Sequence, residues 1–140
     1  MKLTIDKASI IVDQALAHGR ANKIRPLCVA VLDDGGNLKA LKRDDGASIL
    51  RPKIAVGKAW GAIGMGESSR HLGNRLKDMT AFLGALSDMS SGKVVPVAGG
   101  VLIMEGDTII GAAGASGASA DEDEACVVAG IKAAGLEYKI

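Results

Sequence analysis

Aromatic side chains are almost missing from this 140-residue chain, which has one Trp, one Tyr and one Phe. With so few rings there is little for nucleic-acid bases to stack on. The 17 basic residues against 16 acidic ones leave a net charge of +1, which is no footprint for a phosphate backbone. Nucleic acid is therefore not an expected partner. Long apolar runs are missing too, since none reaches the ~18–20 residues of a membrane-spanning helix. The opening stretch "MKLTIDKASIIVDQALAHGR" interrupts its apolar residues with acids and a lysine, so it makes a poor export signal. Cysteine is scarce as well. Cys28 and Cys126 lie far apart in apolar runs and read as small buried hydrophobes, because a disulfide framework or metal site needs closer spacing or more ligands. A cytoplasmic protein with no membrane contact is the expectation.

What the chain does contain is one domain's worth of regular structure over residues 1–140, long enough to bury roughly two-thirds of its unfolded surface. Residues 4–22 carry Ala8, Ile11, Val12, Ala15 and Gly19 at helical spacing, with Thr4 placed to cap the helix. "PLCVAVLDDGGNLKALKR" predicts two strands turning around Asp34-Gly35-Gly36. Pro52 suits the start of a second helix running to about residue 64. Residues 68–90 fit one or two short helices, and a second hairpin turns at Gly106-Asp107. A last helix is expected over residues 119–136.

The strands are informative in a second way. In "PLCVAVL" both alternating sets, Leu27/Val29/Val31 and Cys28/Ala30/Leu32, are apolar or small. A sheet with one wet face would alternate apolar with polar, so both faces of this one must be covered. The element order predicts an α+β domain with an antiparallel sheet. The helix "KIAVGKAWGAIG" is apolar nearly all round apart from Lys53 and Lys58. Such a helix is buried on more than one side, and in a chain this short the expected cover is another subunit. A homo-oligomer is therefore expected.

Taken in order, "VAVLDDGGNLKALKRDDGA", "KAWGA" and "GGVLIMEGDTIIGAAGASG" before an acid-rich helix start resemble the GlcG/HbpS family, which also supplies the C-terminal domain of some cobalamin adenosyltransferases. The resemblance spans essentially the whole chain. It implies a profilin-like α/β/α sandwich with a central antiparallel sheet of four or five strands, assembled as dimers up to octamers. Several family members bind haem. The function it implies is an oligomeric small-molecule or haem/tetrapyrrole-binding protein, accessory to a catabolic or cofactor pathway.

The candidate site residues each have a functional and a structural reading. In "KRDDGAS" the family motif is matched at Arg43, Asp45, Gly46 and Ala47. Arg43 is suited to clamp a carboxylate, with Asp45 orienting it or acting as base. Equally, the two residues could form an Arg–Asp pair that pins the loop. Lys58, mid-helix among apolar residues, is either an amine for a ligand or half of an internal ion pair with Asp33, Asp45 or an acid of another chain. Arg43, Asp45 and Lys58 together define the alternative function, a cofactor-free enzyme acting on a small carbonyl or carboxylate metabolite.

Gly111, Gly114 and Gly117 do not have the spacing of a phosphate loop, and the acids Asp121 to Glu124 that follow would repel a polyphosphate while complementing the helix dipole. The glycines read as packing devices, and Ser116 among them as a contact for a small ligand. Asp121 and Glu124 share a helix face that could hold a hard cation, although the dipole alone accounts for them. His18, near the end of the first helix, matches by position the histidine that haem-binding relatives are thought to use, with Arg20 and Arg25 near for propionates. His71 is the weaker candidate. The scarcity of aromatics argues against a deep, dry haem pocket and for a shallow one, between subunits.

Overall fold

The computed structural model describes residues 2–140. Helix α1 spans Ile5–Ala21, and the Thr4 hydroxyl accepts from the Lys7 amide at 3.2 Å, as its capping position predicts. Strands β1 (Cys28–Asp33) and β2 (Leu38–Arg43) form the first hairpin. Its turn is held by Asp33, whose Oδ1 accepts from the Gly35 and Asn37 amides at 2.9 Å each. Helix α2 (Arg51–Met65) carries Pro52 in its first turn and stops at Gly66, which adopts φ 69°. Two short helices follow, α3 (Ser69–Leu76) and α4 (Thr80–Met89). The second hairpin is β3 (Gly100–Glu105) and β4 (Thr108–Ser116). Helix α5 (Ala120–Ala133) begins with a capping box between Ser119 and Glu122.

The chain then departs from expectation. The last helix ends at Ala133 instead of continuing to residue 136, and Glu137–Lys139 form a fifth strand, β5, beside β3. Gly135 at φ 73° turns the chain out of the helix, and the outer edge of β3 offers the backbone groups of Leu102–Met104 for pairing. The sheet is antiparallel throughout, in the order β2-β1-β4-β3-β5.

Helices lie on both sides, giving the expected α/β/α sandwich. Val29, Val31, Val101 and Ile103 point to the face under α1 and α5 and build the larger core with Ile11, Val12, Val127 and Ile131. Cys28, Ala30, Leu32 and Leu102 point to the opposite face, under α2. Every residue of β1 from Cys28 to Leu32 is fully buried, which is why neither alternating set is polar.

Helix α2 sits unusually low on its face. Gly100 and Gly114 are cross-strand partners beneath it. A Cβ at Gly114 would collide with the Ala55 carbonyl oxygen, and one at Gly100 with that of Lys58. On its outer side, Gly57 and Gly61 receive Val95 and Val94. The expectation that a second subunit covers α2 is thereby corrected in part. Residues 93–95 of the same chain supply that cover, because two glycines a helical turn apart open a groove for them.

Candidate functional site

The low seat of α2 carries Lys58 into the interior, where it is 3% exposed. Its Nζ donates to the Ala115 carbonyl at 3.0 Å and to Asp123 Oδ2 at 3.1 Å. The other carboxylate oxygen of Asp123 accepts from the Ala118 amide at 3.0 Å. Lys58 is therefore half of an internal ion pair, as one of its two readings held. The partner is Asp123 of the same chain, in place of Asp33 or Asp45. Asp33 is instead committed to its own turn. Asp123 belongs to the acid run at the start of α5, and its neighbours there are exposed or paired elsewhere. No periodicity links residues 58 and 123; the topology alone brings α2 and α5 together at the end of β4.

Beside this pair lies a cleft of about 310 Å³. Arg51, Lys58, Ser116 and Asp123 supply its polar groups, and Ile54, Val95, Val97, Ala118 and Ala120 its walls. Ser116 is buried at the end of β4, and its hydroxyl accepts from Arg51 Nη1 at 3.1 Å. Two of the expected ligand contacts, Lys58 and Ser116, thus meet in one cleft. Arg51 was not singled out in the sequence. The available signal was a basic residue directly before the helix-starting Pro52.

Arg43 does not line this cleft. Opposite Cys28 on one side stands Arg43 and on the other Ser116, so Arg43 and Ser116 share a row across the sheet, two strand spacings or roughly 10 Å apart. Arg43 Nη1 donates to the Ala47 carbonyl at 2.6 Å and pins its own loop. The Arg–Asp pair of this loop is not Arg43–Asp45. It is Arg20–Asp44 at 2.7 Å, with Asp44 Oδ2 also accepting from the Leu27 amide. Asp45 is exposed. The clamp, orienter and amine of the enzyme reading are therefore not assembled at one place.

The remaining candidates separate clearly. Asp121 and Glu124 converge on Arg70 of α3, with Glu124 Oε2 at 2.9 Å from its Nε, so an internal cation already occupies the face considered for a metal. His71 Nδ1 lies 2.9 Å from Glu67, which Arg75 also engages. These partners, Arg75 first, hold the Glu67 carboxyl below its ordinary range. The imidazole of His18 has no hydrogen-bond or ion-pair partner among the described residues and is half-buried on α1. Arg20 stands two residues on, at a position that does not face His18 on α1, and is paired with Asp44 just after β2. Cys28 and Cys126 are free and buried, and burial pushes both thiols up to about 11.

An antiparallel five-stranded sandwich with this helix arrangement agrees with what sequence comparison finds. The profile of the HbpS-like family, described as haem degrading protein HbpS-like, matches residues 3–132. The chain belongs to the HbpS-like family. Corrinoid adenosyltransferase PduO of Citrobacter freundii is 29% identical over 105 residues, 74% of this chain and 31% of that protein. The Salmonella typhimurium PduO is 30% identical over the same shares. The chain thus spans under a third of the length of these curated relatives. Among solved structures, HbpS superposes with a TM-score of 0.82 at 27% identity, covering 94% of this chain and 89% of that one. A double mutant of the Streptomyces reticuli HbpS gives 0.82 at 28%, covering 94% and 86%. A PduOC:haem complex gives 0.89 at 24% over the whole of both chains, which shows the shared fold.

Proposed function

We propose that this protein binds haem, with His18 as the axial ligand. The carrying observation is the contrast between its two histidines. In a member of the HbpS-like family, His18 alone presents an imidazole with no protein partner, whereas His71 is tied to Glu67. A neutral imidazole nitrogen is a normal haem ligand, and the group bound there would supply iron chemistry that no side chain in this chain offers.

The surroundings suit a flat, shallow site. Residues one helical turn from His18 are small or polar, namely Gln14, Ala15, Ala21 and Asn22. Helix α5 lies antiparallel against α1 here: Lys7 Nζ donates to the Ala134 carbonyl at 2.6 Å, and Gly19 packs towards Cys126. Among the described residues no aromatic ring belongs to α1 or α5. The proposal therefore includes a homo-oligomer, from dimer to octamer, in which a second copy closes the open side. Arg25, exposed in the segment after α1, remains the arginine available to a propionate, since Arg20 is engaged by Asp44. The likeness to corrinoid adenosyltransferases supports an accessory role in a catabolic or cofactor pathway inside the cell.

Titration with haemin tests the assignment. A saturable Soret shift is expected for wild type and for His71→Ala, with the shift lost in His18→Ala. A spectrum indifferent to His18→Ala contradicts it.

A further inference from the structure

We propose that the cleft between α2, the Val95–Val97 segment and the start of α5 is a second binding site, selective for a short aliphatic monocarboxylate held by Arg51 and Ser116. Charge comes first. Lys58 and Asp123 neutralise each other at 3.1 Å, so the floor of the cleft carries no net charge. Arg51 takes part in no ion pair among the described residues, and its guanidinium bonds to a neutral hydroxyl. A guanidinium has five N–H donors in a planar fork that matches a carboxylate. The cleft therefore presents one uncompensated positive charge.

Ser116 adds direction. It is 1% exposed, and its oxygen accepts from Arg51, which leaves its own O–H to donate to a further acceptor beside the guanidinium. Arg51 and Ser116 together offer convergent donors to two oxygens on one carbon. Asp123 also lines the cleft, while Asp121 is engaged by Arg70 and Glu122 closes the capping box with Ser119. With Asp123 neutralised by Lys58, the single guanidinium of Arg51 sets the ligand charge at one.

Size and wall chemistry give the remainder of the ligand. At about 310 Å³ the cleft lies at the small end of ligand pockets, suited to a metabolite and not to a macrocycle. Its walls of Ile54, Val95, Val97, Ala118 and Ala120 are aliphatic, so a short alkyl chain is the complementary tail. This site does not depend on the haem assignment, because His18 is on α1, across the sheet from α2.

Calorimetric titration with acetate, butyrate and hexanoate, and with succinate and inorganic phosphate as dianionic controls, tests the proposal. Butyrate or hexanoate should bind the wild type, and the dianions should bind at least roughly tenfold more weakly. Arg51→Gln should weaken butyrate by roughly tenfold or more, as loss of a charged hydrogen-bond donor does, and Ser116→Ala by a smaller factor. Circular dichroism of each variant verifies the fold. Arg51 is only half-buried, so Arg51→Gln is expected to keep it. Absence of binding by every monocarboxylate overturns the proposal, as does equal butyrate affinity in wild type and Arg51→Gln. A haemin titration of Arg51→Gln completes the test. An unchanged Soret titration supports a separate site, whereas loss of haemin affinity would make the carboxylate a haem propionate and overturn the proposal.

Discussion

The two faces of the sheet are built from the same strands but to different ends. Under α1 and α5 the layer is branched and aliphatic, with Val29, Val31, Val101, Ile103 and Ile131 filling it without a polar group. Under α2 the strands present Cys28, Ala30, Ala112, Gly100 and Gly114, and at the end of that thinner layer Lys58 of α2 meets Asp123 from the start of α5. The first face is where most of the apolar stabilisation resides, at about 1.5–3 kcal/mol per fully buried large side chain. The second gives up part of that gain. In return it holds Lys58 and Ser116 in fixed positions, with Asp123 of α5 opposite, at the mouth of a cleft. Small residues bring backbone close, and close backbone is what positions polar groups.

The largest expected break in this comparison comes from the ion pair. Asp123→Ala leaves the Lys58 ammonium buried with one carbonyl partner, and a loss of about 3–5 kcal/mol is expected in urea denaturation. Replacing both partners, Lys58→Met with Asp123→Leu, should cost less than the two single changes summed. Additive losses would show that the pair is not coupled.

Gly114→Ala comes next. The new methyl meets the Ala55 carbonyl, so α2 must lift, at a cost of about 1–3 kcal/mol. Because Lys58 and Arg51 travel with α2, butyrate binding should fall in the same variant. A variant of full stability would mean that the close seat of α2 is not required.

The smallest effect lies outside both faces. Glu67 is held below its ordinary carboxyl range, first by hydrogen bonding to Arg75 and with His71 contributing. A depressed carboxylate stabilises the fold above its unfolded pKa, and that contribution disappears as pH falls through the folded value. Glu67→Gln should therefore lower stability slightly at neutral pH, by about 0.2–1 kcal/mol, and flatten the acid limb below the ordinary glutamate range. An unchanged acid limb would remove this pair from the account.

How much of this was legible in the chain follows from the range of each signal. The capped first helix, Pro52 at the start of α2, both hairpins and the two-sided burial of β1 rest on neighbours in sequence, and all are found. Strand β5 was missed because its three residues carry no periodicity and form a strand only against β3. In the site, Lys58 was marked by being a charge on an apolar helix. Its partner was not, because Asp123 is 65 positions away and looks like three neighbouring acids. Asp44 and Asp45 are adjacent and chemically equal, so the choice of Asp44 as the partner of Arg20 is made by the fold alone.

Two separate sites for two different ligands require independent loss of binding, and one crossed measurement separates them. Haemin and butyrate are each titrated into wild type, His18→Ala and Arg51→Gln. His18→Ala should lose the Soret shift and keep butyrate binding, while Arg51→Gln should do the reverse. Loss of both ligands in either variant, with the fold intact, would contradict that independence.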